Sequence, residues 1–191
     1  CSSDLKRIDR LISDISDASR LDAELSRGHS DPVDIAKLLE TIATIYNGMD
    51  LPRGVRIAFV REGAKTQIVQ GLDERLGQVF RNLIDNAISF TPDNGTVTVT
   101  VRSEDLNVRA LVDDTGPGIG DNDLERIFDR FYTERPPEHG FGKNSGLGLA
   151  IARQIVSSHN GRIWAENRRD ATGNVLGARC VVELPLNRMR T

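Results

Sequence analysis

Cysteine is almost missing from these 191 residues, occurring only as Cys1 and Cys180. Two thiols at opposite ends of a chain supply neither a zinc-ligand cluster nor a disulfide framework, and they fit a reducing compartment. Aromatic residues are sparse at 5%, with one tryptophan, and histidine occurs three times. No apolar run approaches the roughly 20 residues that span a bilayer. No charged-then-apolar leader opens the chain. Excess positive charge is missing as well. The 25 Lys and Arg face 28 Asp and Glu, giving a net charge of −3 and a pI of about 5.7. That balance lacks the basic footprint of a nucleic-acid binder. The chain begins with Cys1 rather than methionine, so we read it as a piece of a longer protein, and the missing span describes this piece alone.

What is present is a soluble globular composition, 38% hydrophobic and 28% charged. The length suits one good-sized domain with an appendage. Residues 1–27 carry Leu5, Ile8, Leu11, Ile12, Ile15, Ala18, Leu21 and Leu25 at three-and-four spacing, which predicts an amphipathic helix. Its wide stripe predicts burial against partner helices. Gly28 ends this helix, and Asp31-Pro32 reads as the cap and first turn of a second one over 33–47. Residues 1–30 and 31–191 are therefore expected to be separate modules. Strands are predicted over Val55–Val60 and Gln67–Gln70, and a helix from a capping Asp73 to about Phe90. A hairpin follows over Thr96–Ser103 and Leu106–Val112. Then come a short helix around 122–129, a mobile loop over 133–145 rich in Pro and Gly, and a helix over Gly146–His159. Strands at about 162–167 and 175–184 close the chain. Strands paired in sequence between helices imply an α+β fold, with helices layered on one face of a mixed sheet.

Four local patterns carry chemistry. Asn82 and Asn86 stand four apart on a helix, so their amides share a face. An amide oxygen is a hard ligand suited to Mg²⁺. Asp114-Thr115-Gly116-Pro117-Gly118-Ile119 follows a strand. A carboxylate there can accept from an exocyclic amine, while glycines let the backbone approach a flat base. Asn144-Ser145-Gly146-Leu147-Gly148 opens a helix whose free N–H groups suit phosphate. Phe128, Phe131 and Tyr132 can anchor a lid, with Arg130 placed to reach a phosphate. Taken singly, each pattern is more often a plain structural feature.

Together and in this order, they resemble the N box, first glycine box, F box and second glycine box of the ATP-binding domain of sensor histidine kinases. That domain belongs to the wider superfamily of gyrase, heat-shock-90 and mismatch-repair ATPases. The resemblance covers about residues 31–187. It implies a Bergerat-type α/β sandwich with an ATP lid at 133–145. Residues 10–21 resemble the second helix of a kinase dimerisation hairpin, which makes 1–30 a remnant of that module. The wording also resembles ChvG-type sensor kinases of alphaproteobacteria. By position, the resemblance implies that Asn86 ligates Mg²⁺ with support from Asn82. Asp114 would recognise adenine, with Gly116, Gly118 and Ile119 letting the base approach. Phe90 would lie near ribose and adenine. Ser145, Gly146, Leu147 and Gly148 would wrap the phosphates, with Arg130, Tyr132 and Lys143 contributing from the lid side. Ser89 stands where many members carry a cation, Thr133 where Arg is usual, and Gly177-Ala178 lacks a customary Thr.

The related ATPases resemble general-base enzymes with a Glu at the position of Asn82. An amide cannot take a proton from water, so hydrolysis is disfavoured and transfer to another nucleophile is expected. The family's acceptor histidine sits on a helix ahead of an acidic residue and a proline, and none of His29, His139 and His159 fits that setting. The chain is therefore expected to bind Mg·ATP without autophosphorylating. The resemblance further implies a response-regulator receiver domain as partner, a homodimer through the N-terminal helix of the parent, and a cytoplasmic location beneath an inner-membrane sensor. It implies neither nucleic-acid binding nor membrane attachment of this piece. Two alternatives stay open: a degenerate nucleotide-sensing domain with a scaffolding role, and an ATPase or serine kinase on the same fold.

Overall fold

Val97, Val99 and Val101 are fully buried and alternate with half-buried Thr96, Thr98 and Thr100. Period-two alternation of this kind puts one face of a strand in the core and leaves the other outside. The computed structural model describes residues 30–63, 66–132 and 146–187, together with Ser16. Apart from Ser16, the predicted helix over 1–27 lies outside these residues, as does the predicted loop over 133–145.

Among the described residues the elements run β1 (Asp31–Asp34), α1 (Ile35–Asn47), β2 (Arg56–Glu62), β3 (Ile68–Gly71), α2 (Asp73–Phe90), β4 (Thr96–Glu104), β5 (Asn107–Asp113), α3 (Gly148–Ser158), β6 (Arg162–Arg169) and β7 (Val175–Pro185). A five-stranded sheet has the order β2-β4-β5-β7-β6, with β2 parallel to β4 and the other pairs antiparallel. Strands β1 and β3 form a separate antiparallel pair. One sheet face carries Ile57, Val99, Val112, Cys180 and Val182. The apolar sides of the three helices, including Leu39, Phe80, Leu83 and Ile155, share one core with it. This is the expected α+β arrangement, a mixed sheet with helices on one face. Each such buried side chain contributes roughly 1.5–3 kcal/mol.

Three local expectations are corrected. Asp31-Pro32 does not start the second helix. It lies in β1, where Pro32 pairs in register with Gln70, and the cap is Asp34, whose Oδ1 accepts from Ala36 N–H at 3.1 Å and Lys37 N–H at 3.3 Å. Both Asp31 and Asp34 are good caps locally, and pairing with β3 decides between them. The predicted helix at 122–129 shrinks to a 3₁₀ turn, Arg126–Phe128. Asp73 is the first helical residue, not the cap. Leu72 occupies the cap without a side-chain bond, and its N–H donates to His159 Nε2 at 3.1 Å. His159 Nδ1 lies 2.7 Å from the Ile155 carbonyl. Through these two contacts the buried ring ties the end of α3 to the start of α2.

The outer sheet face holds an ion-pair lattice. Glu183 is 5% exposed and accepts from Arg109 Nε at 2.6 Å and from Arg162 at 2.7 Å. The Arg162 hydrogen bond, together with that from Arg109, holds its carboxyl below the usual glutamate range. A depressed folded-state value gives stability that is complete above the unfolded value and is lost as pH falls through the folded one. Glu183→Gln should therefore flatten the acid limb of a urea-derived stability profile. An unchanged slope there would show that the pair adds nothing to the fold.

Candidate functional site

Helix α2 presents Asn82, Asn86 and Phe90 half-buried on one side, while Leu83, Ile84 and Ala87 face the core. The two Asn have different surroundings. Asn82 Nδ2 donates to the Gly148 carbonyl at 2.9 Å, which pins α2 to the first turn of α3. The Asn86 amide makes no hydrogen bond among the described residues. Ser89 Oγ turns back to the Asn86 carbonyl at 2.7 Å, inside the helix.

The chain reverses sharply beyond β5. Asp113 and Asp114 are neighbours on opposite faces of the sheet, as strand geometry requires. Asp113 takes two bonds of 2.7 Å from Arg179 on the outer face. Asp114 Oδ1 accepts from Gly116 N–H at 2.8 Å and Ala178 N–H at 3.0 Å. These bonds fix the carboxylate and leave Oδ2 without a protein donor among the described residues. Asp114 is 7% exposed, and burial raises its pKa even though both backbone bonds pull it down. A Cβ on Gly116 would lie 2.6 Å from the Phe90 carbonyl, so only glycine lets this loop sit against the end of α2. Ile119 is held in turn by Asn167, whose amide accepts from its N–H at 2.8 Å and donates to its carbonyl at 2.7 Å.

Gly146 has φ +71, and its carbonyl accepts from Phe131 N–H at 2.9 Å. The second glycine box therefore packs on the aromatic run. The positive φ also delays the helix, which begins at Gly148 rather than the predicted Gly146. Leu147 caps α3 without a side-chain bond, and no acidic residue occupies the first turn. A helix N-terminus of this kind carries a partial positive charge that suits an anion. Phe128 is buried, Arg130 is exposed, and the Arg126 guanidinium lies 5.0 Å from the Tyr132 ring centroid. Lys143 and Ser145 lie outside the described residues.

The structure thus gathers Asn82 beside Gly148, Phe90 beside Gly116, and Gly146 beside Phe131 and Tyr132. The sequence reading missed Asn167, the clamp on Ile119, and Arg168, which donates to the Asp114 carbonyl at 3.0 Å. Asn167 is 48 residues from Ile119. No local pattern marks such a pairing, and only an amide inside a strand hints at it.

A family model described as histidine kinase-, DNA gyrase B- and HSP90-like ATPase matches residues 71–188, more than half of the chain. The chain belongs to this ATPase family. It is 47% identical over 188 residues to the sensor protein ChvG of Agrobacterium fabrum, covering 95% of this chain and 32% of that protein. It is 34% identical over 179 residues to the signal transduction histidine-protein kinase BaeS of Escherichia coli, covering 94% of this chain and 37% of that one. Full-length ShkA solved with AMPPNP superimposes with a TM-score of 0.73 at 27% identity, covering 96% of this chain and 37% of that one. The chain spans about a third of the length of the curated relatives it matches. What it spans is their ATP-binding catalytic region. Among the described residues, no helix is long and apolar enough to cross a membrane.

Proposed function

We propose that this region transfers the γ-phosphate of Mg·ATP to a histidine on a dimerisation domain, as the catalytic part of a two-component sensor kinase. One observation carries the reading. One helical turn before Asn86 stands Asn82, an amide already engaged with Gly148. A hydrolase needs a base there, and an amide is none. The nucleotide is instead held for an outside nucleophile, since phosphoryl transfer depends mainly on positioning and charge neutralisation.

The remaining assignments support this reading. Asp114 Oδ2 accepts the adenine amine beside Gly116, Gly118, Ile119 and Phe90. The start of α3, from Gly146 and Leu147 to Gly148, receives phosphates, with Ser145, Lys143, Arg130 and Tyr132 on the lid side. Asn86 suits Mg²⁺, because its amide oxygen makes no hydrogen bond among the described residues and this ion keeps waters and phosphate oxygens as its other ligands. Among the described residues no cluster of three His, Cys, Asp or Glu stands ready to hold a metal alone. Bound Mg²⁺ would neutralise charge on the transferring phosphate.

The rest of the reading concerns the parent protein. Residues 1–30 are the remnant of the dimerisation module, residues 31–191 are the catalytic domain, and two copies pair through the N-terminal helix. The region works on the cytoplasmic side of an inner-membrane sensor, and a receiver domain takes the phosphate onward. A degenerate domain is the second reading, favoured by Ser89, which is bonded into its own helix and brings no cation to the phosphates.

The test mixes the chain with Mg·ATP labelled at the γ position and a separate hairpin domain bearing the acceptor histidine. Acid-labile label on the hairpin, and none on the chain alone, is the expected result. Release of free phosphate instead would favour an ATPase. Nucleotide binding without either product would favour the degenerate reading.

A further inference from the structure

Beyond Asp114 the chain leaves the β5 ladder, and Gly118 takes φ +84. Among the described residues, Ile119 makes no backbone–backbone hydrogen bond. One side chain serves both of its main-chain groups. Asn167 Oδ1 accepts from the Ile119 N–H at 2.8 Å, and Nδ2 donates to its carbonyl at 2.7 Å. A primary amide presents a donor and an acceptor side by side, so it stands in for the strand neighbour that Ile119 lacks. Gly118 leaves no slack in this contact, since a Cβ there would lie 2.7 Å from Asn167 Oδ1.

The end of β6 grips the 114–119 turn at both ends. Ile163 and Ala165 pack against the core. Side chains alternate along a strand, so Asn167 lies on that inner face and Arg168 on the outer one. Arg168 donates to the Asp114 carbonyl at 3.0 Å and has its Nε 3.5 Å from Asp113. Asn167 is level with Ala178 on β7, the residue whose N–H holds Asp114 Oδ1 at 3.0 Å. One rung of the sheet therefore sets the positions of both Ile119 and the Asp114 carboxylate.

We propose that Asn167 is a positioning residue for the base of the nucleotide. This role rests on Asp114 being the adenine contact proposed above. With Ile119 held, the far end of the turn stays at a set distance from Asp114, so the carboxylate and the glycine-lined backbone meet a flat base together. Without the amide the turn gains freedom that binding must remove, and ordering a loop costs affinity. The cost falls on the base end. Among the described residues, Asn167 bonds neither the helix carrying Asn86 nor the start of α3.

A matched control stands on the other edge strand of the sheet. Asn47 makes the same pair of bonds with Ile57 on β2, donating to its carbonyl at 2.9 Å and accepting from its N–H at 3.2 Å. The test titrates the chain with a non-hydrolysable ATP analogue in calorimetry, with and without Mg²⁺, at a temperature where melting shows each variant folded. Asn167→Ala should weaken binding about tenfold under both conditions, the scale of one or two hydrogen bonds. The gain from Mg²⁺ should match that of the unsubstituted chain. Asn167→Asp has the same shape and keeps an acceptor for the Ile119 N–H. It sets an oxygen against the Ile119 carbonyl and against Asp121 Oδ1, which lies 3.4 Å from the present amide nitrogen, and it should lose at least as much affinity. Asn47→Ala should lower the Tm and keep full affinity. Full affinity in either Asn167 variant would overturn the proposal. An equal loss in Asn47→Ala would mark the effect as general weakening and overturn it too, as would loss of the Mg²⁺ gain in Asn167→Ala. Absence of binding by the unsubstituted chain would instead overturn the nucleotide reading, and this role with it.

Discussion

Asp114→Asn is expected to lose measurable binding of a non-hydrolysable ATP analogue in calorimetry while the protein stays folded. The reason lies in how the two carboxylate oxygens are used. Oδ1 is held by Gly116 and Ala178, and an amide oxygen can replace it there. Oδ2 is the atom proposed to accept the adenine amine, and the substitution puts an N–H₂ donor against that donor. A lost hydrogen bond to a charged group costs about 1.5–3 kcal/mol, and an opposed buried donor adds its own desolvation penalty. Together these reduce affinity by roughly a hundredfold or more. Asp114→Ala should also lose binding, but it strands the N–H groups of Gly116 and Ala178 and so weakens the fold too. Asn86→Ala should behave differently, keeping the Mg²⁺-free affinity and losing the gain that Mg²⁺ brings. Wild-type affinity in Asp114→Asn would remove the adenine assignment. The pH dependence adds an independent check. Burial places the folded-state pKa of Asp114 above its unfolded value. Its ionisation therefore costs stability at neutral pH, and that cost is relieved as pH falls through the folded value. Binding needs the ionised form, so affinity should fall with pH over the range where this contribution to stability rises.

Much of this arrangement is legible in local sequence. The helix carrying Asn82 and Asn86 shows apolar residues at helical spacing between two turn signals, and it forms at Asp73–Phe90 as read. The β4–β5 hairpin is equally plain, because alternation over Thr96–Glu104 and Asn107–Asp113 admits no helical reading. Less legible is whatever depends on distant pairing. Asp31–Asp34 looks like a helix start, and only β3 makes it a strand. That Asp113 is held on the outer sheet face by Arg179 is equally invisible locally, since the two are far apart in sequence. The ring tie from His159 to Leu72 links residues 87 apart. Motif order points to a candidate site, whereas the clamps around it come from long-range contacts that no local window contains.

Gly177→Ala should be the most damaging small substitution outside the ligand-contacting set. Gly177 has φ +144, and a Cβ there would meet the Asp114 carbonyl oxygen at 2.0 Å. That carbonyl is backbone and also accepts from Arg168, so it cannot swing aside as a flexible side chain would. Overpacking costs about 1–3 kcal/mol, and the backbone strain adds about 1–3 kcal/mol more. A loss near 3 kcal/mol corresponds to a fall in Tm of roughly 10 °C for a chain of this size. Gly173→Ala is the matched control, since its φ is +91 but nothing lies within 4 Å of the added Cβ. It carries strain without the clash and should cost only about 1 kcal/mol. The difference between the two isolates the contact with Asp114, and equal losses would show that the close approach of β7 to this loop is unimportant. If the contact holds, Gly177→Ala should also reduce nucleotide affinity at temperatures where it remains folded, because relief of the clash moves the same backbone that positions the Asp114 carboxylate. Gly177 then serves as a spacer, letting the last strand lie close enough for Ala178 to hold Oδ1 while Oδ2 stays open.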